Sequence, residues 1–175
     1  MVNKVRVYGK AQNRTALGII HAYHVMYPHA TLEDLNKAFP KSLNPETACK
    51  DLFLPVAEVN ELIKSGKAWM ANGQGYFLED DTFLIMPDKT PVAVVSMWPK
   101  ASFERIVEHA KQYGIEIAEF EKAMKGEKGG FRLEYLNGYV PPMPKEKKTP
   151  KWLWAIIGLV LLVVVLLIIF FMNRG

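Results

Sequence analysis

The sequence predicts an α+β protein: a small cytosolic domain of short helices and β-hairpins, part of it winged-helix-like, followed by one C-terminal transmembrane helix. Three observations carry that prediction. Residues 152 to 172, WLWAIIGLVLLVVVLLIIFFM, hold no charge and no side-chain amide, and about 20 apolar residues at about 1.5 Å of helical rise match a hydrocarbon core roughly 30 Å thick. Up to about residue 65, apolar side chains recur at helical spacing. Beyond it the period becomes two, with Gly and Pro turn signals between short apolar runs.

Taken in order, Asn3 to Tyr8 alternates polar with apolar and predicts a strand ended by Gly9. Asn13 predicts an N-cap for a helix from Arg14 to about Tyr27, with Leu17, Ile20, His21, His24 and Val25 at helical spacing and Pro28 as its stop. Thr31 with Asp34 three residues on has the pattern of a capping box, opening a second helix that runs to Pro40. The two form a helix-turn-helix-like pair. Leu54 to Ser65 predicts a third helix, closed by Gly66.

Hairpins follow: Trp69 to Phe77 around NGQG, then Thr82 to Met86 and Val92 to Trp98 on either side of PDKT. Three helices and a hairpin describe the winged-helix-like unit. Ser102 predicts a cap for a helix from Phe103 to Tyr113, with Gly114 ending it before an apolar IEI strand. Ala118 to Lys125 predicts one more helix, GEKGG at 126 to 130 a flexible break, and Phe131 to Leu136 a strand. The Pro- and Lys-rich NGYVPPMPKEKKTPK predicts an extended, water-exposed stalk. The expected organisation is therefore a domain over 1 to 136, a stalk over 137 to 151, the span over 152 to 172 and a short outer tail.

Up to Pro144 the chain carries 17 Lys plus Arg against 17 Asp plus Glu, so the formal net charge of +4 arises at the C-terminal end. There Lys145, Lys147, Lys148 and Lys151 precede the apolar run, and only Arg174 follows it. Lysine excess marks the cytoplasmic flank, which predicts a single-pass protein of the inner membrane with its N-terminal domain in the cytosol. The same lysines are the expected contacts for anionic lipid headgroups. An apolar run placed last is not a signal peptide. The one cysteine, Cys49, allows no disulfide framework and fits a reducing cytosol.

Within the span, Trp152 and Trp154 suit the cytoplasmic interface, where an indole ring is buried and its N–H stays wet. Gly158 and Ala155 are its small residues and form no small-xxx-small pair, which disfavours tight two-helix dimers. A pore would need several protomers and would be lined by residues such as Leu162, Val165 and Ile169, gating by dewetting. Assembly then falls to the domain, with hairpin edges and the Val92 to Trp98 strand as expected contacts.

Candidate chemistry is sparse. His21, His24 and His29 have metal-ligand residue types, but no carboxylate shares their helix, and no metal or cofactor is expected. Glu79, Asp80 and Asp81 lack the Gly turn and distal Glu of a calcium loop and predict a solvated hairpin edge. Trp69, Tyr76, Phe77 and Trp98 have no interleaved basic residues and read as core rather than base-stacking groups. Lys4, Arg6, Lys10 and Arg14 make an opening basic arm able to meet phosphate. Arg14 and His21, two helical turns apart, share a face.

Those last two residues carry a resemblance. Their Arg-x6-His spacing resembles that of HEPN ribonucleases, in which Arg holds the phosphate and His acts as general acid or base on the 2′-hydroxyl, though Thr15 stands where that family usually has an amide or imidazole and its motif sits in a bundle of long helices. The stretches TLEDLNKAFPKSLNP and VAVVSMWPKASFERIVEHAKQYGIEI resemble a module of bacterial restriction and defence proteins, over roughly residues 14 to 120. Size, one span and the Arg14 and His21 pair together resemble the accessory membrane proteins encoded beside the RNA-guided, RNA-targeting nuclease of type VI-B CRISPR loci. The resemblance implies antiphage defence, a homo-oligomer, and a membrane made leaky when the nuclease engages. A tethered nucleic-acid-binding adaptor and a HEPN-like ribonuclease are the alternatives, with the bilayer, the chain itself, and an RNA-guided nuclease or RNA as expected partners.

Overall fold

The computed structural model describes residues 2–66, 75–118 and 126–143. The span, its flanking lysines, Trp69 with its NGQG turn up to Gln74, and nearly all of the helix expected at 118 to 125 lie outside the described residues. Among the described residues no helix is long and apolar enough to cross a membrane. The described residues belong to one compact unit, Met1–Met143.

The described residues form a small α+β fold of four helices and two three-stranded sheets. In the first sheet β1 (Val5–Gly9) is central, parallel to β5 (Ile115–Ile117) on one side and antiparallel to β6 (Phe131–Tyr135) on the other. Val5 and Val7 are fully buried while Arg6 and Tyr8 between them are half-buried, the alternation expected of a sheet with one wet face. The second sheet has the order β2-β4-β3, from Phe53–Pro55, Pro91–Val94 and Leu84–Ile85. Here Val92, Ala93, Val94 and Val95 are all fully buried. The Val92 to Val95 part of the expected contact strand is thus interior, while Ser96 is half-buried and Met97 is exposed.

Helix α1 (Gln12–Met26) lies against the buried face of the first sheet, and most of its residues are buried. Two glycines set that approach. A Cβ on Gly9 would stand 2.7 Å from the Thr15 Cα, and one on Gly18 2.6 Å from the Val7 side chain. The helix starts earlier than expected: Ala11 is its N-cap residue, and Asn13 sits inside the first turn. Helix α2 (Leu32–Ala38) has the full capping box, with the Thr31 hydroxyl accepting from the Asp34 N–H and the Asp34 carboxylate accepting from the Thr31 N–H.

Helix α3 (Val56–Lys64) begins after β2 rather than at Leu54, because Phe53 to Pro55 pairs with β4 and Pro55 brings no N–H to the helix start. Helix α4 (Lys100–Ala110) begins just after Pro99. Ser102 is therefore inside the helix, not at its cap, and its hydroxyl donates to Glu46. A 3₁₀ turn follows, and Gly114 at φ 73 ends it as expected.

Two further expectations change. GEKGG is not a loose break: Lys128–Gly130 is a 3₁₀ turn whose Gly129 N–H donates to Asp81 at 2.8 Å and whose Gly130 carbonyl accepts from the Lys10 N–H at 2.9 Å. The start of the stalk is also folded. Asn137 and Gly138 turn the chain at positive φ, and the Asn137 amide donates to the Asn3 carbonyl at 2.8 Å. Tyr139 packs on the core beneath the Lys4 ammonium, 5.7 Å from its ring centre.

Candidate functional site

Arg14 and His21 do share a face of α1, and that face is turned on the 3₁₀ turns Asp80–Thr82 and Lys128–Gly130. The Arg14 guanidinium donates from Nη2 to Glu79 Oε1 at 2.6 Å and from Nη1 to the Gly129 carbonyl at 3.2 Å. It also lies over the Phe77 ring, 4.4 Å from the centroid. Burial alone would raise the Glu79 carboxyl, but hydrogen bonds from Arg14 and the backbone outweigh it and hold the pKa below its ordinary value. An incoming phosphate would have to displace Glu79 to reach Arg14.

His21 is half-buried beside it. Its Nε2 lies 3.0 Å from the Thr82 carbonyl, an acceptor only, so Nε2 carries the ring proton. The imidazole packs on Phe131, with ring centres 4.7 Å apart. Burial lowers its pKa from 6.5 to about 4, with the Thr82 bond opposing only in part. At neutral pH the ring is uncharged, and its one proton is committed to the backbone.

The other histidines go elsewhere. His24 meets the Ile85 backbone and is likewise pushed down by burial, and His29 is exposed beyond the helix end. Among the described residues no three His, Cys, Asp or Glu are placed to hold a metal ion. The acidic run is exposed, as expected of a solvated edge, and it also makes contacts: Glu79 holds Arg14 and Asp81 holds Gly129, with Asp80 between them. Tyr76, Phe77 and Trp98 are core residues at 3%, 4% and 4% exposure, and the Trp98 indole donates to the Val95 carbonyl.

The basic arm is divided. Lys4, Arg6 and Lys10 share the even parity of the wet face of β1, with Lys4 and Lys10 about 20 Å apart at roughly 3.3 Å per residue. Between them Arg6 is bridged to Glu116 and to Glu134, and Tyr8 and Glu116 raise its pKa. Arg14 belongs to the α1 site. Trp152, Trp154, Gly158, Leu162, Val165 and Ile169, with Lys145, Lys147, Lys148 and Lys151, lie outside the described residues.

One cluster had no sequence signal. The Glu46 carboxylate accepts from Ser102 Oγ and Arg105 Nη2, and Arg105 lowers its pKa to about 2, helped by Ser102. Asn44 beside it donates to the Met97 carbonyl at 2.7 Å. These contacts pin the loop after α2 onto α4, across 56 residues of sequence between Glu46 and Ser102. Cys49 is buried with its thiol on the Gly75 carbonyl, and burial pushes its pKa up, which suppresses the thiolate a nucleophile needs.

Comparison of the chain with protein-family models, with curated proteins and with solved structures found no match.

Proposed function

We propose that this chain is a single-pass inner-membrane protein of bacterial antiphage defence, with its α+β domain in the cytosol. In this reading the domain gathers copies of itself, and the assembly permeabilises or depolarises the membrane when a CRISPR RNA-guided nuclease is activated. The observation that carries the reading is the charge-free run at 152 to 172, long enough to span a bilayer once and lysine-flanked on one side. Supporting it, Arg14 and His21 are engaged as a strut: one holds Glu79 and Gly129, the other holds Thr82 as a neutral, half-buried ring. The protein is therefore proposed to act without catalysis of its own.

The test is the mass of the full-length protein in mild detergent, with membrane potential followed in cells when the nuclease is activated. A defined oligomer and depolarisation support the reading. A monomer with no depolarisation overturns it.

A second reading, a membrane-tethered nucleic-acid adaptor, draws on the second sheet. Its β2-β4-β3 order, with α3 between β2 and the β3–β4 hairpin, is compatible with a winged-helix-like unit. That reading predicts binding of RNA or DNA that weakens steeply with salt and is lost on neutralising Lys4 and Lys10.

A further inference from the structure

The first sheet ends in a strand whose outer edge meets no other strand among the described residues. β6 pairs with β1 in antiparallel register, Val7 opposite Leu133, Tyr8 opposite Arg132 and Arg6 opposite Glu134. The bonds just beyond each end of that register, Lys10 N–H to the Gly130 carbonyl and Leu136 N–H to the Lys4 carbonyl, fix its parity. Even-numbered β6 residues exchange hydrogen bonds with β1, so the N–H and C=O groups of Phe131, Leu133 and Tyr135 point the other way. Among the described residues these six groups have no backbone partner outside the sheet. Arg132 and Glu134 stand on the wet face, where Glu134 meets Tyr8 and Arg6, while Arg132 lies over the Tyr8 ring and has no carboxylate partner among the described residues.

We infer that β6 pairs antiparallel with β6 of a second copy, two-fold about Leu133, to join two three-stranded sheets into one of six. This inference names the interface for the homo-oligomer proposed above and rests on that reading. Self-pairing centred on Leu133 places Leu133 opposite Leu133 and Phe131 opposite Tyr135. All three positions are those whose backbone groups face outward, so six inter-chain hydrogen bonds form with none left over.

Charge selects the register. Centred on Leu133, each Arg132 faces Glu134 of the other copy, twice, as non-hydrogen-bonded pairs whose side chains approach most closely. Centred one residue earlier, Arg132 would face Arg132; one residue later, Glu134 would face Glu134. Either shift replaces two attractions with a like-charge contact. The apolar side follows the same symmetry, because Tyr135, still 44% exposed, comes to lie across from Phe131.

The test uses the full chain in detergent. Arg132→Glu creates two Glu–Glu contacts at the interface and is expected to weaken dimerisation about tenfold or more, as is Glu134→Arg. The exchange of both, R132E with E134R, restores the opposed charges and is expected to restore the dimer. Leu133→Cys in a Cys49→Ala background is expected to oxidise to a disulfide-linked dimer, since hydrogen-bonded antiparallel partners sit about 5.5 Å apart at Cα, within disulfide range. If the wild type is a monomer, both this interface and the oligomer reading fall. If the oligomer survives R132E and Leu133→Cys does not cross-link, the oligomer reading stands and this interface falls.

Discussion

The two sheets are the same size and are used in opposite ways. In β2-β4-β3 the middle strand is apolar at every position and fully buried from Val92 on, whereas β6 at the rim of β5-β1-β6 alternates and is half in water. An unbroken apolar strand is what a two-sided core demands, while an edge open to water carries charge. The difference teaches that apolarity along a strand measures enclosure. The edge proposed above for a second copy is the mixed strand, not the apolar one.

Substitutions sharpen the contrast. Val94→Asp places an unpaired carboxylate in the closed sheet and is expected to cost about 4 kcal/mol or more, read as the urea midpoint. If it is tolerated, the contrast is wrong. Next comes pH. The His21 pKa falls from 6.5 unfolded to about 4 folded, so the unfolded chain binds more protons in between. Stability is full above pH 6.5 and falls as pH drops toward 4, by about 3 kcal/mol in total for this group. His24 shifts in the same direction, with only the direction resolved, and Asp81 offsets part of the His21 effect. His21→Gln is expected to flatten the thermal-melt profile across that range.

Smaller effects follow. Gly18→Ala drives a methyl into Val7 and Phe131 and is expected to cost about 2 kcal/mol, loosening α1 from the first sheet in hydrogen exchange. Ser102→Ala removes a partner of Glu46 and is expected to cost about 1 kcal/mol by chemical denaturation. Arg132→Glu, on the open edge, is expected to shift monomer stability by no more than about 0.5 kcal/mol. A large loss there would mean that β6 belongs to the core after all.

Local signals were legible and distant ones were not. The Thr31 to Asp34 box, the Gly114 stop and the alternation of β6 each depend on residues within a few positions. The shared face of Arg14 and His21 also followed from helical spacing. Their partners did not, since Glu79 is 65 residues from Arg14 and Gly129 is 115 away. Ser102 was misread because a serine near a helix start resembles a cap, and only the position of Glu46 decides otherwise. β2 was hidden for a similar reason: three residues ending in Pro55 make a strand only when β4 lies alongside.

The place of β1 in its sheet has a kinetic consequence. It comes first among the described strands, yet both neighbours come late, with Val5 opposite Ile115 on one side and Tyr135 on the other. Closing such long loops costs entropy before any contact repays it, and chains dominated by distant pairings fold slowly. The β3–β4 hairpin, with Ile85 opposite Pro91, has no such wait. Refolding is expected to build the second sheet early and to leave β1 until last, so that the chain's opening residues are the final ones to be sheltered from proteases.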